Sequence, residues 1–475
     1  MYSGILREIL KISGTIKEIV EKRYRDIKSG SSVHCFPYEE LLNFCNEGEE
    51  NEETKNLKFN PVDNSCFTVE GLFSTEERFL DIIGLNSFEE GSKNIEEFLE
   101  RRIVGQASVK EVIRSLPQLC EETGYAPIEI NGTPDCQDIV LMQSDIGRLP
   151  ISTLDDGSMG MEKAILNFFN IRTGLSEMGF CDFKVLSEET LSIKYDRCSR
   201  IGKALNSIHK TKIPAAICMG GHPIYYYCAA APLPDFIGKY AFAGFLRGSG
   251  IAMAECLTQE VNVPADSSFV VEGELMRDSD NNTIFHITCI SRRTEAFVPV
   301  FPKDLSEMYY FIKANEALLN PIAKYTVSAN IKEIHTINEA PERLIKLFDR
   351  IKTADGKDKT GNRSIVVVRI RKMQPFEAIK TAHAMWGTER FQNTDKIIIT
   401  DDKALTNCFK NRETRDYSRF SIEEIKLLEE SIDENFNNTT DLYISTGFSN
   451  SCSICSFACA DATAKMPEEI SAANL

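Results

Sequence analysis

The chain is 475 residues long, with 42% hydrophobic and 26% charged residues and a formal net charge of −17. At a soft prior of about 150 residues per domain, that is material for two or three domains with sizeable cores, and the composition argues against disorder on a large scale. The negative charge, with no dense Lys/Arg cluster to offset it, argues against nucleic acid and anionic lipid as partners.

In chain order, Met1 to Lys28 intersperses apolar residues (Ile5, Leu6, Ile9, Leu10) with Arg7, Glu8 and Lys11, which predicts an amphipathic helix and not a signal peptide. The acidic run Gly48 to Glu53 has nothing apolar to bury and reads as a solvated loop. Helical patterning follows between Phe67 and Ser115, with Ser74 as a capping residue and Glu77 at the capping-box position.

From Ala126 the chain turns to short alternating or apolar runs divided by turn residues: Pro127 to Ile130, Asp138 to Met142, Phe183 to Leu186, Leu191 to Lys194 and Ala215 to Cys218. Phe269 to Leu275 and Thr283 to Thr288, joined by the polar turn Asp278 to Asn282, predict a hairpin. The longest candidate for a membrane span, Ala229 to Leu246, is interrupted by Pro232, Pro234, Asp235 and Lys239, so no membrane insertion is expected. After about Asn320, the strand Ser364 to Ile370, a helix from Phe376 to Trp386 and the strand Lys396 to Thr400 predict an α/β domain with parallel strands. The 15 cysteines lack regular spacing and fit reduced thiols in a cytoplasmic protein.

Two constellations are open to a functional reading on their residues alone. Cys452-x-x-Cys455-x-x-x-Cys459 has ligand-like spacing but no fourth ligand nearby. His222, followed by Tyr225, Tyr226 and Tyr227, either lines a pocket or makes packing and loop contacts.

Three landmarks in order, Ile139-Val-Leu-Met-Gln-Ser-Asp-Ile-Gly-Arg-Leu-Pro-Ile151, Pro214-Ala-Ala-Ile-Cys-Met-Gly-Gly221 and Ala231-Pro-Leu-Pro-Asp235, resemble the UbiD carboxy-lyases. The strongest likeness is Lys239-Tyr-Ala-Phe-Ala-Gly-Phe-Leu-Arg-Gly248 followed by Val263-Pro-Ala-Asp-Ser-Ser-Phe-Val-Val-Glu-Gly273. Ile365 to Val368, Ile397 to Asp402 and Ala460 to Lys465 extend it, so the resemblance covers roughly Phe67 to the end.

The resemblance implies a mixed α/β (α+β) fold in three parts: an N-terminal helix, acidic insert and small α/β region (1–112), a central split β-barrel of flavin-binding type (113–322) and a C-terminal α/β oligomerisation domain (323–475). It implies reversible decarboxylation of an aromatic or α,β-unsaturated acid on prenylated FMN, with the protein supplying orientation and proton transfer. By the same resemblance, Pro232, Leu233 and Pro234 correspond to a turn that contacts the flavin, or serve only as a rigid turn. Lys203 and Arg390 either face the flavin phosphate or are solvated helix charges.

The family's metal-binding Asn, His and Glu correspond to Glu177, Asp196 and Lys239, and its substrate-pairing Arg to Asp182. An aspartate facing a substrate carboxylate would repel it by about 4 kcal/mol at 4 Å and a surface-like dielectric. Lys239 opposes a divalent ion and would replace its charge beside Glu177 and Asp196, so a salt-bridged cluster and no divalent metal are expected, the alternative being three unrelated surface charges. The family's Glu-rich proton-donor loop is replaced by the short turn Asp278 to Asn282, whose carboxylates are not expected to reach the reacting atom. Two functions follow: a UbiD-like carboxy-lyase with an altered site acting on a small organic acid, or a catalytically inactive paralogue serving as structural or regulatory subunit. Either is expected as a homo-oligomer or as a hetero-oligomer with a UbiD-like subunit.

Overall fold

The computed structural model describes residues 57–59, 66–103, 124–300, 308–337, 365–401, 442–448 and 454–462, apart from short interruptions within those ranges. The N-terminal helix, the acidic loop, Cys452 and Arg390 of the sequence reading lie outside the described residues. Contacts divide the chain into two compact units, 1–87 with 115–231 and 235–312, and 88–114 with 232–234 and 313–475.

The core of the first unit is a barrel of six strands: β1 (Met159–Asn170), β2 (Leu175–Ser187), β3 (Thr190–Lys194), β4 (Ile213–Met219), β5 (Phe269–Arg277) and β6 (Thr283–Arg292). Each pairs antiparallel with its neighbour in the order β1, β2, β3, β6, β5, β4 and back to β1. Closure removes the free edges an open sheet would expose. Because successive side chains in a strand point to opposite faces, alternate residues fill the interior. Leu166 and Phe168 of β1, Cys181 and Phe183 of β2, Ile217 and Met219 of β4, Val271 of β5 and Phe285 of β6 share one buried cluster.

The β5–β6 hairpin forms as expected, closed by the turn Asp278 to Asn282. Its register shifts at Glu272/Gly273, where a side chain on Gly273 would meet the His286 carbonyl at 2.1 Å. Glu272, wholly buried, turns its carboxylate to the Leu257 and Thr258 N–H groups (2.8 and 2.6 Å) and the Thr258 hydroxyl (2.7 Å), fixing the loop before Asn262–Pro264.

Three short helices pack against this barrel sequence: α1 (Arg200–Ser207), α2 (Ile224–Ala230) and α3 (Lys239–Arg247). Ser199 caps α1 by accepting the Gly202 N–H. Gly248 ends α3 in the left-handed region at φ 68°, the conformation that glycine adopts without a Cβ penalty. The segment weighed as a membrane span covers the end of α2 and most of α3, and no described helix is long and apolar enough to cross a membrane. Further upstream, the helix Glu76–Ile83 is capped by Thr75, whose hydroxyl accepts the Arg78 N–H at 3.3 Å, while the expected cap Ser74 lies outside the described residues.

The second unit is built on a five-stranded sheet in the order Ile331–Ile337, Ile365–Ile370, Lys396–Thr400, Ile454–Ala462, Leu442–Phe448. Its two central pairings are parallel, as the strand, helix, strand pattern predicted, and its outer two are antiparallel. Val366, Val368, Ile397 and Ile399 face the helix Glu377–Trp386 through Ala378, Ala382 and Met385. Cys455 and Cys459 lie on the strand Ile454–Ala462.

Candidate functional site

A cavity of about 440 Å³ opens in the first unit, where β1, β2 and the end of β3 meet α1 and the residues around α2 and α3. Its charged lining is Lys163, Asp182, Lys194, Asp196 and Lys239. Three of the four residues singled out by the resemblance, Asp182, Asp196 and Lys239, therefore stand around one space. The fourth, Glu177, is not part of that lining and is buried at 1% exposure.

Glu177 is neutralised by Arg200, the first residue of α1. Nη2 lies 3.0 Å from Oε1 and Nε 2.8 Å from Oε2, both side chains being almost wholly buried. Asn170 donates to Oε1 at 3.3 Å, and the remaining guanidinium nitrogen reaches the Ile237 carbonyl at 2.6 Å. A guanidinium supplies five donors in a planar fork, which suits it to hold a carboxylate and a carbonyl together. Arg200 went unnoticed in the sequence because Arg-Ile-Gly-Lys-Ala-Leu reads as an ordinary half-solvated helix.

Lys239 opens α3 with its side chain buried, and Nζ donates to the Ala229 carbonyl at 2.5 Å, near the C-terminal end of α2. A cation there is favoured by the helix dipole. Asp196 is exposed, and its backbone carbonyl accepts the Ser199 hydroxyl at 2.5 Å. Asp182 accepts the backbone N–H of Lys163 at 3.0 Å. The register of β1 against β2 shifts between Met161 and Ala164, and Lys163 inside that bulge has φ 56°. Its Nζ lies 5.5 Å from the centroid of the Phe180 ring.

The turn that joins β5 to β6 is closed on itself. Asp278 accepts the Asp280 and Asn282 N–H groups at 2.9 and 2.7 Å, and the Asn282 side-chain amide at 3.0 Å. The Asn282 contacts hold its carboxyl below the usual carboxylate range.

His222 is buried with Nδ1 accepting the Ile224 N–H at 3.1 Å, while its backbone N–H and the Tyr225 hydroxyl both donate to Asp266, at 3.2 and 2.8 Å. Burial and the nearby Arg247 hold its pKa well down. Tyr226 accepts the Gly220 N–H, and Tyr227 packs against Phe79 and Phe311. These four residues thus make the loop and packing contacts weighed against a pocket. Lys203 is half-buried on α1 and Leu233 is fully buried between Pro232 and Pro234. Among the described residues no group of three His, Cys, Asp or Glu is placed to hold a metal ion.

A family model described as the 3-octaprenyl-4-hydroxybenzoate carboxy-lyase Rift-related domain of UbiD matches residues 129–285, a span that holds β1 to β5 of the barrel and the first residues of β6. An uncharacterized protein of Archaeoglobus fulgidus is 23% identical over 354 residues, 70% of this chain and 68% of its own length. One from Synechocystis is 28% identical over 303 residues, covering 58% of this chain and 56% of its own length. Among solved structures, the closed form of vanillic acid decarboxylase from Sedimentibacter hydroxybenzoicus superposes with a TM-score of 0.59 at 15% identity, over 85% of this chain and 82% of that one. An evolved dimeric form of the UbiD-class enzyme HmfF from Pelotomaculum thermopropionicum, in complex with prFMN, gives 0.52 at 14% identity, over 84% and 83% of the two chains. At such identities the structural likeness speaks for the fold.

Proposed function

We propose, from the UbiD family model that matches residues 129–285, that the chain is a UbiD-like carboxy-lyase with an altered active site, which keeps a ligand cavity without the family's metal-assisted decarboxylation. The observation that carries this reading is the Glu177–Arg200 pair. In the family an Asn at the corresponding place helps to hold a divalent ion at the flavin phosphate. Here the carboxylate is already neutralised, and a second cation, Lys239, corresponds by the same resemblance to another ligand. Two unit charges about 4 Å apart interact by about 4 kcal/mol at an effective dielectric of 20, so a divalent ion beside the Lys239 ammonium is opposed, while the neutral Glu177–Arg200 pair offers it no free carboxylate. The donor set does not fit the metal-bridged phosphate of prenylated FMN.

The proton donor has changed too. A general acid must carry its proton at the working pH, and Asp278 is shifted the wrong way for that role. Asp182 has one oxygen committed to the Lys163 backbone. The cavity, at about 440 Å³, still lies within the range of about 300–1,000 Å³ common to small-molecule sites, which supports retained binding of an organic ligand. The closed turn of Asp278 to Asn282 favours a second reading, a catalytically inactive paralogue that serves as a partner subunit.

The test is to co-express the chain with a flavin prenyltransferase, purify it without oxygen, and assay bound flavin by absorbance and mass spectrometry, bound manganese by elemental analysis, and decarboxylation of aromatic acids. Stoichiometric prenylated FMN with manganese and turnover would overturn the altered-site reading. Flavin without metal supports it. Neither flavin nor metal, together with a co-purifying UbiD-like chain, supports the subunit reading.

A further inference from the structure

Lys163 holds a backbone conformation that a side-chain-bearing residue adopts at a cost. Its φ of 56° lies in the left-handed region, inside the bulge that β1 makes against β2. Strain of that kind persists only where neighbouring groups over-determine it, and it collects at ligand sites. The neighbouring group is Asp182, whose Oδ1 accepts the Lys163 N–H at 3.0 Å.

The bulge decides where the side chain goes. An extra residue in one strand re-aims the side chains around it, and Lys163 comes to line the cavity together with Phe180, its ammonium 5.5 Å from the ring centroid. Lys194, which pairs with Asp182 across β2 and β3, lines the same space, as does Lys239. Three lysines thus face two aspartates in a protein of net charge −17. A cleft lined by an excess of one sign concentrates ligands of the other.

We infer that Lys163 is the anion-binding residue of this cavity, that Asp182 is its positioning residue, and that the ligand is an oxyanion, a carboxylate or a phosphate, on a flat apolar body that can lie against Phe180. Asp182 thereby serves anion binding indirectly, through the lysine it holds, although its own charge would repel the ligand. The inference rests on the reading that the barrel cavity still takes a ligand, and it is independent of whether manganese is bound.

The purified full-length chain is titrated with FMN, riboflavin and benzoate, the flavins by fluorescence and benzoate by calorimetry. Lys163→Gly is the informative variant, since glycine accepts the left-handed conformation while the whole side chain, ammonium included, is removed. Its melting temperature should be no lower than that of the parent, while binding weakens by roughly tenfold or more, the size of a lost charge-assisted hydrogen bond. Weakening for FMN but not riboflavin identifies a phosphate, and weakening for benzoate a carboxylate. Asp182→Asn keeps an acceptor for the Lys163 N–H and should bind as well as the parent or better, whereas Asp182→Ala should resemble Lys163→Gly. Unchanged binding in Lys163→Gly, or no binding of FMN or benzoate by the parent, would overturn the inference. Manganese-dependent turnover by the parent with impaired anion binding in Lys163→Gly would instead defeat only the altered-site reading.

Discussion

Glu177 and Arg200, separated by 23 residues, meet as a buried ion pair whose two contacts, 2.8 and 3.0 Å, tie β2 to the first turn of α1. Burying two charges is costly, and removing one partner leaves the other uncompensated. Arg200→Ala should therefore destabilise the protein by about 3–5 kcal/mol. Glu177→Leu combined with Arg200→Met should cost much less than the sum of the single changes. Urea denaturation of the four proteins of this double-mutant cycle measures the coupling, and additive single effects would mean that the two side chains do not act as a pair.

His222 makes stability depend on pH. Its pKa is held well below the ordinary 6.5 by burial and by Arg247, so the folded protein keeps it neutral where the unfolded chain takes up a proton. Below about pH 6.5 the unfolded state binds more protons, and stability falls with decreasing pH by up to about 1.4 kcal/mol per unit from this group, until the folded pKa is reached. Above that range both states are neutral and the contribution is flat. His222→Asn should lose this slope between pH 6.5 and 5, seen as a flatter plot of unfolding free energy against pH. An unchanged slope would assign the acid sensitivity to carboxylates.

Six cysteines, Cys136, Cys181, Cys218, Cys228, Cys256 and Cys289, are free and buried. Burial is the main cause that pushes the Cys218 thiol up to about 12 and the Cys289 thiol up to about 11. Because the thiolate is the nucleophile, all six should react slowly with iodoacetamide at pH 7.5 in the native protein and quickly in denaturant. Peptide mapping by mass spectrometry reads each site separately, and rapid native labelling of any of the six would contradict its burial.

The sequence and the structure agree most closely where local chemistry decides the fold. The β5–β6 hairpin is legible because Asp278 to Asn282 is a run of turn formers, and the parallel pair Ile365–Ile370 and Lys396–Thr400 because a helix separates two apolar runs. The long strand Met159–Asn170 is not legible. Its bulge at Glu162 and Lys163 breaks the two-residue alternation, and Ala164 to Phe168 is buried without interruption. The candidate site divides in the same way. A resemblance in order and spacing brings Asp182, Asp196 and Lys239 to one cavity. The partner of Glu177 depends on how α1 folds back on β2, and the role of Asp182 depends on a backbone angle 19 residues away. Neither distance is written in the local pattern.

Gly179 shows how tightly the cavity wall is specified. It lies on β2 and lines the cavity beside Ile201 of α1. A Cβ added there would stand 2.6 Å from Ile201 Cγ2 and 2.9 Å from Cδ1, closer than atoms can approach without movement. Overpacking of this kind costs about 1–3 kcal/mol, and Gly179→Ala should lower the unfolding free energy by that amount. Ile201 belongs to the barrel's buried cluster, so the displaced side chain has a filled space behind it and the shift has to pass to α1. Trimming the obstacle should relieve it: Gly179→Ala with Ile201→Ala should be less destabilised than the sum of the two single variants, because the new methyl occupies part of the space that the lost isoleucine leaves. The measurement is urea denaturation of the four proteins, and strictly additive effects would show that the strand and the helix do not meet at this point.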